Sequence, residues 1–351
     1  MEEKRHKHDP AQCERTRVSG ALRVGPLMNI AEVLIELGVE PEPIFVSAGF
    51  KLEQFANPDT EISYAAGSRL LERCVAATGC QHFGLLLGER ACPSLLGVAG
   101  FMLSSACDVG TALRELVQHL DLHDRGGVST LLIRGDETLF GYAIHQSGVA
   151  ATNQIYDLSI TMACTIMRSL VGESWTPTEV LLPRRAPLQQ EPYKLFFRAP
   201  LHFNADQSSI VFPSHWLDCR IPSADALLHS HLDKEASELH AIRDGTIVDE
   251  LRGSLRKSLL SQECTISSVA RQLSIHERTL HRRLREQGTS FRSELEDIRQ
   301  EMAQQLLAES TMSIAKIASA LNYSDASAFS RAFNRWSGMT PGRWRARNMS
   351  F

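Results

Sequence analysis

Arg278, His281, Arg282 and Arg285 stand at three- and four-residue spacing, which on a helix puts all four on one face. Leu280 and Leu284 fall on the opposite face as inward anchors. A guanidinium fork matches the O6 and N7 acceptors of guanine, and an imidazole can donate or accept at a base edge. The chemistry on offer is recognition of base edges in a DNA groove. A milder set, Ser327, Ser330, Arg331 and Asn334, surrounds the anchors Phe329 and Phe333 in the same way. Thr279, Arg283, Lys316, Asn334 and Arg335, with the backbone amides at the helix starts, are candidates for phosphate contacts, which fix register without reading sequence. A basic helix face alone is equally well explained by solvation. What separates the two readings is that the pattern occurs twice.

The elements that would position these side chains repeat forty-eight residues apart. Ile266-Ser-Ser-Val269-Ala270-Arg-Gln-Leu273 is echoed by Ile314-Ala-Lys-Ile317-Ala318-Ser-Ala-Leu321. After a short break each copy continues into an Arg-bearing amphipathic segment that ends at Gly288 or Gly338. A short helix, a tight turn and a second helix with a basic outer face make a helix-turn-helix, here 266–287 and 314–337. Ala270 is small where two helices would cross closely. Asp325 reads as a cap, because exposed N–H groups at a helix start favour a carboxylate. Between the units, apolar or small residues at 291, 295, 298, 302, 303, 306 and 307 form one helical stripe. A strut of roughly 26 Å at 1.5 Å per residue could hold two recognition helices near the ~34 Å spacing of successive major grooves.

The chain is 351 residues long, enough for two domains, and its 43% apolar and 22% charged content is that of an ordinary globular protein. From Glu250 onward there are sixteen Lys and Arg against ten Asp and Glu, leaving twenty-one against thirty-one in the rest. The overall charge of −4 therefore hides a basic C-terminal module on an acidic N-terminal one. No apolar run approaches a membrane span, and the start of the chain lacks the apolar stretch of an export signal. Eight cysteines without a CxxC pair predict reduced, mostly buried thiols in a cytoplasmic protein.

Periodicity predicts helices over 28–37, 63–77, 108–120 (with Asp108 as N-cap) and 150–171. Gly38, Pro41 and Pro43 read as the stop signal of the first. Residues 128–134 and 138–145 predict a hairpin, with short strands at 179–182, 201–204 and 210–212. The expected architecture is an α+β domain over 25–220, with segregated helices and antiparallel strands. It follows a disordered tail over 1–24. A helical, solvated connector over 221–249 then leads to an all-α DNA-binding domain over 250–351, two helix-turn-helix motifs joined by a long helix.

The C-terminal hundred residues resemble the DNA-binding domain of the AraC/XylS family of bacterial transcription regulators. The residues that carry this are Ile314, Ile317, Ala318, Leu321, Tyr323, Ser324, Asp325, Ser327, Phe329, Ser330, Arg331, Ala332 and Phe333, then Trp336, Gly338, Thr340, Pro341, Trp344 and Arg345. The resemblance implies that the first recognition helix supplies most base contacts, here through Arg278, His281 and Arg282, and the second through Ser327, Ser330 and Arg331. Asn322 stands at the family's turn glycine, tolerable because Asn visits left-handed geometry. Ser274 and His276 replace the usual Gly and Ser/Thr cap of the first unit and are expected to weaken it. Phe83-Gly84 through Gly88, Leu96, Gly97 and Leu103 resemble the N-terminal domain of the branch that includes regulators of ornithine utilisation. That implies effector sensing and dimerisation.

Other constellations carry less. His119-x3-His123 with Asp121 and Asp124 could offer metal ligands, but solvated or core histidines are the better reading. His229-x-His231 reads as structural surface. No GxSxG, HExxH, Walker A or dinucleotide fingerprint occurs, so no enzyme, cofactor or metal is expected. The partners expected are double-stranded promoter DNA, RNA polymerase, a small-molecule effector with no assignable residues, and a second copy of the chain. The function expected is an effector-controlled regulator, an activator. The alternatives are an effector-independent dimeric regulator and a DNA-tethered enzyme.

Overall fold

The computed structural model describes residues 20–146, 148–243, 246–260, 264–273, 275–309 and 312–348. Two hydrophobic cores divide them. One gathers residues between Val24 and Ile221, the other residues between Ile247 and Phe333.

The N-terminal domain opens with β1 (Ala21–Arg23), which pairs antiparallel with β2 (Glu61–Ser63). Between them lie α1 (Ile30–Glu36) and α2 (Pro41–Ser47). Four helices follow: α3 (Tyr64–Thr78), α4 (Phe83–Glu89), α5 (Val98–Ser105) and α6 (Val109–His119). Asp108 caps α6, its carboxylate accepting from the Thr111 N–H at 2.7 Å. The hairpin β3 (Gly127–Arg134) and β4 (Glu137–Ile144) leads to α7 (Thr152–Val171), β5 (Glu179–Leu182), α8 (Glu191–Phe197), β6 (Leu201–Phe203) and β7 (Ser208–Pro213). Among the described residues these strands form one sheet in the order β3-β4-β7-β5-β6.

α7 packs against α4 and against the sheet, with thirteen of its residues buried, so it is core on nearly every side. The contact with α4 requires glycine. A Cβ on Gly84 would lie 2.1 Å from the Gln154 carbonyl oxygen, and one on Gly88 2.5 Å from the Thr161 Cβ. The Gly84-x3-Gly88 spacing is thus a close helix crossing.

α9 (Ala226–Arg243) leads to the C-terminal domain, which contains α10 (Ile247–Leu260), α11 (Ile266–Gln272), α12 (Glu277–Glu286), α13 (Phe291–Glu309), α14 (Ile314–Ala320), α15 (Ala326–Ser337) and α16 (Pro341–Asn348). α10 and α13 are tied by Arg252, which reaches Glu294 at 2.7 Å and Glu301 at 2.6 Å. Among the described residues no helix is long and apolar enough to cross a membrane.

Several expectations need correction. Of the tail expected over 1–24, residues 1–19 lie outside the described residues, but β1 and the buried Val24 belong to the folded domain. Pro41 does more than end the first helix: it sits at the start of α2, where its missing N–H costs nothing. The strands are not all antiparallel, because β5 and β6 pair parallel through the α8 crossover. The connector expected over 221–249 is not simply solvated. Leu232 and Ala236 of α9 are buried with Met102 and Leu122 of the N-terminal domain. The helical domain begins before 250, since Ile247 is already in its core. Finally, among the described residues Cys74, Cys80 and Cys164 are buried and Cys219 and Cys264 half-buried, while Cys92 and Cys107 are exposed.

A cleft of about 1270 Å³ separates the sheet from the C-terminal domain, with Leu131, Leu139 and Val211 on one wall and Leu259, Met302 and Met312 on the other. Lys316 of α14 closes it by an ion pair with Asp206.

Candidate functional site

α12 is held from below. Leu280 and Leu284 are fully buried against Val269, Ala270 and the shared helical core. With that face fixed, Arg278, His281, Arg282, Arg283 and Arg285 are all exposed, and Thr279 is half-buried. Arg282 pairs with Glu286 one turn on, at 3.4 Å. Arg278, Arg283 and Arg285 have no ion-pair partner among the described residues. Such a surface attracts a polyanion strongly and holds donors ready for one.

α15 repeats the arrangement with fewer charges. Phe329 and Phe333 are fully buried, Ser327, Arg331, Asn334 and Arg335 are exposed, and Ser330 is half-buried. Arg335 lies 3.5 Å from Glu296 on α13. Asp325 is the N-cap: its carboxylate accepts from the Ala328 N–H at 2.7 Å, and that bond holds its pKa below the usual carboxylate value. Asn322 takes the left-handed turn at φ +55°, and Arg299 donates to its carbonyl at 3.2 Å. His276 caps α12, its Nδ1 accepting from the Arg278 N–H at 3.3 Å, a longer bond than the 2.7 Å one at Asp325. Ser274 lies outside the described residues.

Not every arginine of the basic module faces outward. Arg252 and Arg256 bind the acidic residues of α13. Arg345 donates from Nε to the Leu307 carbonyl at 3.3 Å near the end of α13. The net charge of the module therefore understates how sharply its free cations concentrate on α12. Lys316, expected at a phosphate, is committed to Asp206 in this arrangement.

The N-terminal domain holds a second site for which the sequence offered no residues. A partly open cavity of about 90 Å³ lies between α3, α6, α7 and the β3–β4 hairpin. One end carries a polar chain. The Tyr142 hydroxyl donates to Asp124, and the hydroxyls of Tyr64 and Tyr142 are 2.9 Å apart. The Gly126 and Gly127 N–H groups donate to the other Asp124 oxygen at 2.7 and 3.1 Å. Both glycines are required: a Cβ on either would strike the Tyr64 or Tyr142 ring at about 2 Å. Burial pushes the Asp124 carboxyl up to about 6, while Tyr142 and the two amides pull it down.

His123 lines the same cavity, and its Nδ1 has no hydrogen-bond partner among the described residues. It is not paired with His119, which instead meets His240 at 3.1 Å. Burial, helped by Arg23, lowers the His123 pKa to about 3, whereas an unfolded imidazole titrates near 6.5. The folded chain refuses a proton that the unfolded chain accepts. The stability this contributes is complete above pH 6.5 and declines as pH falls toward 3, by about 1.4 kcal/mol per unit. His123→Gln should therefore lose about 1 kcal/mol less than the parent between pH 6.5 and 5.5 in urea melts. Parallel curves for the two proteins would show that the imidazole titrates normally.

Two families match this chain. Residues 38–221 match the arabinose-binding domain of AraC transcription regulators, and residues 269–347 match a helix-turn-helix domain. The HTH-type transcriptional regulator VirS of Mycobacterium tuberculosis is 27% identical over 333 residues, covering 93% of this chain and 96% of VirS. The ornithine utilization regulator of Pseudomonas aeruginosa is 24% identical over 320 residues, covering 90% and 94%. The crystal structure of the transcriptional regulator CdpR from Pseudomonas aeruginosa aligns with a TM-score of 0.45 at 23% identity, covering 92% of this chain and 98% of CdpR.

Proposed function

The chain belongs to the AraC family of transcription regulators, with an arabinose-binding-type N-terminal domain and a helix-turn-helix DNA-binding domain, and from that premise we propose an effector-controlled activator that reads two successive major grooves. In this reading α11–α12 and α14–α15 are the two helix-turn-helix units and α13 is the strut between them. Arg278, His281, Arg282 and Arg285 contact bases from α12; Ser327, Ser330 and Arg331 do so from α15. Thr279, Arg283, Asn334 and Arg335 contact phosphate. RNA polymerase and a second copy of the chain are the protein partners. The single observation that carries the reading is the α12 face, where exposed cations stand above two fully buried leucines.

Selection of duplexes from a random pool by the full-length protein tests it, and enrichment of one sequence spanning about two helical turns is the expected result. Recovery of unenriched DNA would refute it. On the selected site, Arg282→Ala should weaken binding by about 1–3 kcal/mol and relax the preference at one base position. Unchanged affinity and base preference in a gel-shift titration would remove Arg282 from the reading head.

Lys316 takes its phosphate role only after leaving Asp206. Asp206→Asn should therefore raise DNA affinity, and Lys316→Ala should flatten the slope of log affinity against log salt by about one. A slope unchanged by Lys316→Ala would mean that Lys316 never reaches the backbone. A small-molecule effector acts on the same equilibrium through its different affinities for the two domain arrangements.

A further inference from the structure

We propose that the N-terminal cavity is the effector site, and that its ligand is a small apolar molecule with one hydrogen-bond-donating head group, uncharged or positively charged, and never an anion. This inference rests on the reading of the N-terminal domain as the effector domain. It stands on four features of the cavity.

The first is lining. The walls are predominantly aliphatic, with Leu71, Leu116, Leu158 and Ile166 among them, and all the polar groups on the α6–β3 turn and β4 gather at Asp124 and Tyr142. Sites that hold a small molecule share this design, an apolar body with a few placed polar groups. The second is charge. Asp124 is the one acid in the lining and no Lys or Arg faces it there, so a carboxylate or phosphate would enter without a counter-charge and against a buried acid. The third is hydrogen-bond polarity. Tyr142 points its hydrogen at Asp124, so the chain of hydroxyls runs toward the carboxylate and offers acceptors to an occupant. The unpartnered Nδ1 of the 4% exposed His123 adds one more polar atom awaiting a ligand. The fourth is size. A cavity of about 90 Å³ is smaller than the ~150 Å³ that admits benzene, which sets the occupant at about four or five non-hydrogen atoms.

The same geometry supplies a route outward. Tyr142 and Ser129 line both this cavity and the interdomain cleft that Lys316 and Asp206 close. A ligand that displaces the Tyr142 hydroxyl from Asp124 moves a β4 side chain facing the C-terminal domain. Occupancy thereby acts on the lysine that the DNA-binding reading requires.

Probes matched at about five non-hydrogen atoms test the site on the full-length protein: butan-1-ol, butylamine and propionate, by calorimetric titration and thermal shift. The alcohol and the amine should bind saturably and raise the melting temperature, and propionate should do neither. Ala163→Phe, which fills the cavity from α7, should abolish both. Asp124→Asn keeps the shape and should weaken butylamine by about tenfold or more while leaving butan-1-ol within about threefold. Should Ala163→Phe fail to fold by circular dichroism, the Asp124→Asn comparison still decides. Propionate binding as tightly as butylamine, or titrations unchanged in both variants, would overturn the proposal. Probe binding that leaves promoter affinity unaltered would keep the site and remove effector control. Normal promoter binding by a protein that takes up none of the probes would remove the site and keep the regulator.

Discussion

Asp157→Ala is expected to destabilise the N-terminal domain by about 3–5 kcal/mol, the cost of leaving a buried charge without its partner. Asp157 and Arg184 have side chains 0% and 7% exposed, and they are joined by a direct ion pair. The Tyr193 hydroxyl donates to the same carboxylate at 2.6 Å, and Arg184 reaches that hydroxyl at 2.8 Å and the Gln81 carbonyl at 3.2 Å. Burial raises the Asp157 carboxyl, with Arg184 and Tyr193 pulling against it. Alanine would strand the guanidinium in the core. The double variant Asp157→Leu with Arg184→Met removes both charges and should recover most of the loss. Scanning calorimetry of the three proteins checks this. A single variant as stable as the parent would mean that water already reaches Arg184. The pair also fixes α7, which forms one wall of the cavity, so Asp157→Ala should blunt any ligand response before it unfolds the domain.

The DNA-binding half was legible because its determinants are local. Asp325 as cap, Asn322 in the left-handed turn and the buried pairs Leu280/Leu284 and Phe329/Phe333 each follow from residues within one or two helical turns. His276 is a poor cap by propensity, and its Nδ1 accepts from the Arg278 N–H only at 3.3 Å. The charge count misled. It cannot tell Arg252, locked between two glutamates, from Arg278 on the open face. In the N-terminal domain the helices and the hairpin followed periodicity, but α2, α4, α5 and α8 have seven or eight residues each, too short to show a period. The cavity was illegible for a topological reason. Tyr64, Asp124 and Tyr142 come from α3, the α6–β3 turn and β4, and nothing in their spacing anticipates that two adjacent glycines let both rings close on one carboxylate.

Phe333→Ala should remove about 3–5 kcal/mol from the C-terminal domain, the usual cost of emptying a buried aromatic site. Phe333 is fully buried and packs on Phe329 at 5.7 Å, on Trp336 at 6.5 Å and edge-on against Trp344 of α16 at 6.0 Å. The core it belongs to is continuous: Ile298 and Met302 of α13 and Leu280 and Leu284 of α12 share it. Damage at α15 therefore reaches α12, forty residues earlier in the chain. The expected phenotype is loss of DNA binding to every sequence, specific and random alike, because the scaffold that presents both helices fails. That contrasts with Arg282→Ala, which should spare random binding and relax only specificity. The calorimetric transition of the N-terminal domain should stay within about 0.5 kcal/mol of the parent, because the altered residue lies far from that core. A variant that binds its selected site through α12 with parental base preference, while its second unit melts, would show the two units to be separate folding bodies and the shared core to be energetically slack.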